Sequence, residues 1–159
     1  MDELLKLLKR NALESPGNLA RMLNMTEDEV RARIAEYERA GVIRAYQAVV
    51  NTDRLDVDLV RAVIEIKVTP ERDGGFNRIA RRVSKFPEVE SLHLMSGAYD
   101  LMVVVQGKTM REVAYFVAER LAPLDTVLST ATHFVLKRYK VDGDVLEERT
   151  EEKRLPVTP

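Results

Sequence analysis

Very few residues in this chain are arranged to make or break bonds. It has two histidines, His93 and His133, and no cysteine, which excludes a thiol nucleophile, a disulfide and a Cys-ligated zinc. Two imidazoles are too few for a closed zinc site. Ser84, Ser96 and Ser129 lack His and Asp partners in a triad order, and Gly74-Gly75 lacks the strand and lysine of a phosphate loop. Asp100 with Asp125 or Glu90 makes no recognisable acid/base pair. The expectation is no catalytic residue, no metal ligand and no enzyme. What remains is recognition chemistry. The run Met95-Ser96-Gly97-Ala98-Tyr99-Asp100 sets an aromatic and an acid against the apolar stretch Leu101 to Val105. Taken alone it is an ordinary hairpin connection, with Gly97 at positive φ and Asp100 capping the turn.

Two different kinds of element must position these groups. Up to residue 43 the apolar period is helical: Leu4, Leu5, Leu7, Leu8 and Ala12, then Leu19, Ala20, Met22 and Leu23 after Pro16, then Val30, Ile34 and Tyr37. Thr26 followed by Glu29 is a capping box, and Gly41 ends the third helix. Three short helices with a tight turn before the third make a helix-turn-helix. Ile43, Ala45 and Tyr46 to Val50 then read as a short hairpin, a wing that would touch the DNA backbone through Arg44 and Tyr46.

From residue 61 the pattern is β-α-β-β-α-β: strands over Arg61 to Val68, Val89 to Ser96, Leu101 to Gln106 and Thr126 to Tyr139, with helix faces at Phe76, Ile79, Ala80, Val83 and at Met110, Val113, Ala114, Val117, Leu121. Met110, Phe116 and Leu121 are expected in the core. The predicted fold class is therefore α+β, a winged helix-turn-helix followed by a ferredoxin-like antiparallel sheet with both helices on one face. The uncovered face is expected to be apolar enough to want a partner, and a face-to-face homodimer supplies one. In this sheet order the second and fourth strands are opposite edges, which keeps His93 and His133 apart. The expected boundaries are 1–52 for the helix-turn-helix, 53–60 for a linker, 61–140 for the sheet domain and 141–159 for a charged tail.

Composition limits the partners. The 25 Lys+Arg against 26 Asp+Glu give a net charge of −1, so any nucleic-acid contact must be local. Apolar runs fall short of the roughly 20 residues of a membrane span, and the acidic Met1-Asp2-Glu3 start is unlike a signal peptide, so a soluble cytoplasmic protein is expected.

Several fragments now carry a resemblance. Leu19-Ala20-x-x-Leu23, Val30-x-x-Arg33-Ile34 and Gly41-Val42-Ile43-x-x-Tyr46-x-Ala48-x-Val50 resemble the DNA-binding half of the Lrp/AsnC (feast/famine) transcription regulators. Ser96-Gly97-Ala98-Tyr99-Asp100-Leu101 and Thr130-x-Thr132-His133-x-Val135-Leu136 resemble their ligand-sensing RAM domain. The resemblance spans about residues 1 to 140. It implies a homodimer through the RAM sheets, assembling to an octamer, that binds double-stranded DNA and answers to a small effector, an amino acid, with no other cofactor. It places the effector at the turn after the second RAM strand, at an interface between dimers. There Gly97 and Ala98 would let backbone approach a carboxylate, Asp100 would accept from an ammonium, Tyr99 would line the pocket, and Thr130 and Thr132 would add hydroxyls.

For DNA the resemblance points to the third helix, opened by Thr26 and Glu27, with Arg31 and Arg33 as contacts and Asn18 and Arg21 on the preceding helix. Here the sequence departs from the family pattern. The helix begins Thr26-Glu27-Asp28-Glu29, and residues 1–54 carry nine cations against nine acids. Acids there suit the helix dipole but repel phosphate. The alternative role for Arg33 is structural, pairing with an acid such as Glu29. An alternative function follows: an amino-acid-binding or protein-interaction module whose helix-turn-helix has little affinity for DNA.

Overall fold

A computed structural model describes residues 1–70 and 75–146. The chain divides into two compact units, Met1–Val50 and Asn51–Pro159. The first is three helices: α1 (Glu3–Arg10), α2 (Pro16–Leu23) and α3 (Glu27–Arg39). Their apolar faces meet in a small core in which Leu4, Leu19 and Val30 are fully buried, with Ile34 and Tyr37 packed against it. Ser15 caps α2, its hydroxyl accepting from the Asn18 amide, and Pro16 stands in the first turn, where no amide proton is needed. Asn24 takes a left-handed conformation (φ 52°) and reverses the chain between α2 and α3.

The expected wing does not form. Residues 42–50 contain no strand. The segment Ile43-Arg44-Ala45-Tyr46-Gln47-Ala48-Val49-Val50 has β-prone residues but no Gly or Asn-Gly to turn it back on itself as a hairpin.

The second unit holds a four-stranded antiparallel sheet of order β2-β3-β1-β4, made from β1 (Val60–Val68), β2 (Val89–Leu94), β3 (Leu101–Gly107) and β4 (Val127–Phe134). Alternation along the inner strands buries Ala62, Ile64, Ile66 and Val68 of β1 and Leu101, Val103 and Val105 of β3. Against them pack Ile79 and Val83 of α4 (Asn77–Val83), Val113 and Phe116 of α5 (Met110–Phe116), and Leu121 of the π-helical turn Val117–Leu121 that continues α5. The β-α-β-β-α-β order is as expected, and β2 and β4 are the edges.

Several local expectations are corrected. Met110 is 53% exposed at the start of α5 and is not core. The last strand stops at Phe134, short of Tyr139. A separate hairpin follows, β5 (Lys140–Val141) and β6 (Asp144–Val145), turning through Asp142 and Gly143 at positive φ (49° and 102°). The uncovered sheet face is mixed and not broadly apolar. Val63, Met102 and Val104 are half-buried there beside the Glu65–His133 pair (3.5 Å) and the bidentate Arg61–Glu90 pair (2.5 and 2.6 Å). Residues 147–159, most of the expected tail, lie outside the described residues.

Candidate nucleic-acid interface and effector site

In the first unit, α2 and α3 carry the residues expected to meet DNA. The capping box holds the start of α3: the Thr26 amide donates to Glu29 Oε2 (2.7 Å), and the Glu29 amide donates to Thr26 Oγ1 (3.3 Å). The Thr26 amide and the Thr26 hydroxyl (2.9 Å) both donate to the Glu29 carboxylate and hold it below its ordinary range, which favours its charged form at the helix start. Thr26 is thereby a helix cap.

The arginines are less available than their spacing suggests. Arg31 donates from Nε to Glu27 Oε1 (3.1 Å) and again from Nη2, so Glu27 neutralises it one turn away. Arg33 lies beside Asp2 (3.4 Å) and does not pair with Glu29. Asp2 also accepts from the Tyr37 hydroxyl; that bond, helped by the Arg33 charge, holds the Asp2 carboxyl below its usual value, and the same bond raises the Tyr37 phenol against the opposing pull of Arg33. Nothing local could have revealed this Asp2–Tyr37–Arg33 lock, because Asp2 and Tyr37 are 35 residues apart.

On α2, Arg21 donates to Asn18 Oδ1, and Asn18 Nδ2 donates to Glu14 Oε1 (2.6 Å), giving a polar ladder that is exposed at Arg21 and part-buried at its Glu14 end. Tyr46 and Arg44, expected on the wing, instead return to the end of α3. The Tyr46 hydroxyl donates to Glu38 Oε1 (3.0 Å), and the Arg44 guanidinium lies over Gly41. The outer surface of α3 therefore presents small Ala32 and Ala35, flanked by the paired Arg31 and by Arg39. Small side chains there allow close approach to a groove and apolar contact with thymine methyls.

In the second unit the loop 95–100 is closed by the Met95 amide donating to the Asp100 carbonyl (2.8 Å). Gly97 has φ 154°, and it and Ala98 are exposed, whereas Tyr99 and Asp100 are partly buried. Asp100 does more than cap a turn. Its amide donates to the Ile66 carbonyl (3.0 Å) and its Oδ2 accepts from the Val68 amide (2.8 Å), which clamps the loop to the end of β1. Sequence reasoning missed this second duty, since the partner lies 32 residues away.

Thr130 and Thr132 pair with Ile66 and Ile64 on β4. They share the helix-covered face with those buried isoleucines. In the row Leu101, Ile66, Thr130, the threonine is two strand spacings, about 10 Å, from the end of the loop. One chain thus brings Gly97 to Asp100 together and leaves the two threonines across the sheet. His93 and His133 are on opposite edge strands, and among the described residues no group of three or more potential ligands could hold a metal.

The comparisons agree with this architecture. Residues 61–145 match the model of the Lrp/AsnC ligand binding domain. Over 158 residues the chain is 43% identical to the uncharacterized HTH-type transcriptional regulator YugG of Bacillus subtilis, covering 99% of this chain and 95% of that one. It is 31% identical over 129 residues to the uncharacterized HTH-type transcriptional regulator PH0140 of Pyrococcus horikoshii, covering 81% and 79%. The transcriptional regulator NMB0573 of Neisseria meningitidis, solved as an L-Met complex, shares the fold, with a TM-score of 0.71, 23% identity and coverage of 89% and 93%. With the helix-turn-helix in α2 and α3 and the matched domain in the β-α-β-β-α-β sheet, the chain belongs to the Lrp/AsnC family of DNA-binding transcription regulators.

Proposed function

We propose that this regulator binds double-stranded promoter DNA through α2 and α3, as a cytoplasmic homo-oligomer, and that an amino acid bound in the sheet domain alters its occupancy. The division proposed is DNA binding by 1–52, a linker at 53–60, ligand sensing and assembly by 61–140, and a tail at 141–159. The observation that carries the reading is the 43% identity to an HTH-type regulator over 99% of the chain, which spans both units. The L-Met in the complex of the related fold supports the amino-acid class of effector. No reaction is assigned to the chain.

On DNA, Arg31, Arg33, Asn18 and Arg21 are the proposed contacts, with Arg44 and Tyr46 at the flank and Thr26 and Glu27 setting the approach of the helix. In the sheet domain the backbone at Gly97 and Ala98 receives the effector carboxylate, and the free oxygen lone pairs of Asp100 receive its ammonium beside Tyr99. Thr130 and Thr132 join only if a second copy brings them near, which matches a site built between dimers. Assembly through the sheets is supported by the half-buried Val63, Met102 and Val104 on the face no helix covers. Exposed Val42 and Val49, in the strand-free stretch after α3, argue for a partner in the same way.

A gel-shift or anisotropy titration on the region upstream of the protein's own gene, with a salt series, tests the DNA reading. No binding at low salt would reject it in favour of a sensing module without DNA affinity, which the five acids against three arginines of α3 favour. Thermal shift against the twenty amino acids tests the effector. No shift with any of them removes the proposed site.

A further inference from the structure

The cations of the second unit are not spread evenly. Residues 75–87, Gly-Phe-Asn-Arg-Ile-Ala-Arg-Arg-Val-Ser-Lys-Phe-Pro, contain four cations and no acid in a chain of net charge −1. Including Glu71, Arg72 and Asp73 before them, the stretch still carries +3. Arg78, Arg81, Arg82 and Lys85 recur at the i, i+3, i+4, i+7 spacing of one helix face, and all four are exposed. The opposite face is fixed by burial, since Ile79 and Val83 lie in the core. Backbone bonds from Ser84 to Ala80 and from Lys85 to Arg82 continue the turn past the end of α4.

Fold stability does not account for so many cations. Basic groups in a last turn suit the helix dipole, but that benefit is confined to the terminal turn and is modest. Asp125 shares a small recess with Arg78 and Arg82 and offsets part of the charge. The acid at the start of β2, Glu88, is already engaged by Arg120 (2.7 Å). From Arg78 to Lys85 the stripe extends about 10 Å at 1.5 Å per residue. At one charge per roughly 3.4 Å on each strand of a duplex, it faces about three successive phosphates.

We propose that the Arg78 to Lys85 stripe is a second contact for the DNA phosphate backbone, separate from the helix-turn-helix, engaging duplex that extends beyond the half-site. A linear cationic row matches a linear polyanion, and α3 itself contributes little positive charge. The proposal rests on the regulator reading above and goes beyond it by assigning DNA contact to the ligand-binding domain.

The test uses the full chain and the triple variant Arg81→Gln/Arg82→Gln/Lys85→Gln, which leaves Arg78 and the apolar face of α4 intact. Both proteins are titrated against a duplex of about 20 bp, roughly two helical turns, and one of about 80 bp around the same site, across a salt series. The expected result is unchanged binding to the short duplex and weaker binding to the long one. On the long duplex the slope of log affinity against log salt should fall by about 2.7 per engaged protomer, for three lost phosphate contacts. Equal slopes for both proteins on both duplexes overturn the proposal, and so does an equal loss on the short duplex. Unchanged DNA slopes with lost binding to polyglutamate would reassign the stripe to an acidic protein and overturn it too. In each of these outcomes binding of the unaltered chain to the short duplex leaves the regulator reading standing. Its absence at low salt removes that reading and the stripe together.

Discussion

Asp100 has one structural duty and one proposed duty, and a single substitution can separate them. One carboxylate oxygen accepts from the amide of Val68, a residue only 4% exposed, and the remaining lone pairs are the proposed seat of an effector ammonium. Asp100→Ala leaves that amide without its partner and should lower stability by about 1–3 kcal/mol in the absence of ligand. Asp100→Asn keeps an acceptor oxygen for Val68 while removing the charge. It should retain most of the apo stability and lose the amino-acid-induced thermal shift. A full shift in Asp100→Asn would show that the carboxylate does not hold the ligand. The pH response of the first unit follows from groups of the same size. Asp2 and Glu29 titrate below their ordinary values of 3.8 and 4.5 in the folded chain, so each contributes stability that is complete above those values and is lost as pH falls through the lowered ones. Tyr37, raised above 10.0, contributes in the opposite direction, its share being lost as pH rises through the raised value. Urea midpoints measured from pH 5 down to pH 2 should decline, and the decline should be shallower in Asp2→Asn.

At the scale of the element, α3 resolves a conflict between folding and binding. Its acidic first turn and capping box start the helix well, and Thr26→Ala should cost about 1 kcal/mol in chemical denaturation. The same turn ties up Arg31 through Glu27. Glu27→Gln should free that guanidinium for phosphate, tightening DNA binding about tenfold at low salt and steepening the salt slope by about one. No change would mean that Arg31 does not reach DNA. This helix was legible from sequence because its determinants are local: Thr26 and Glu29 lie three residues apart, and Val30, Ile34 and Tyr37 repeat with the helical period. The sheet was legible for the same reason, its strands being short apolar runs bounded by turn residues. The wing was misjudged because β-prone composition in 43–50 says nothing about whether a partner strand exists. The β5–β6 hairpin was open to detection, since Asp142-Gly143 between Val141 and Asp144 is a strong two-residue turn signal. What periodicity could not supply were the long-range locks, Asp2 to Tyr37 and Asp100 to Val68, where the partners are chosen by the fold.

At the scale of the whole molecule, the modest charge of each recognition helix would make the proposed assembly the decisive variable. A single α3 surface, with Arg31 paired to Glu27 and Arg33 beside Asp2, is expected to be a weak ligand for DNA. Two copies held together bind the second half-site at a high effective concentration, which raises affinity by orders of magnitude without any new contact. The proposed joint is the uncovered sheet face, and Val104 lies near its middle, opposite Val63 on the neighbouring strand. Val104→Glu places a carboxylate where a partner's apolar residues would have to desolvate it, and it leaves the helix-covered core untouched because Val104 points away from Val103 and Val105. The variant should sediment as a monomer with nearly unchanged helix and sheet content. It should bind a duplex with one half-site as the unaltered chain does, and one with two half-sites about 100-fold more weakly. A variant that remains dimeric would place the joint elsewhere, with the exposed Val42 and Val49 after α3 as the next surface to alter.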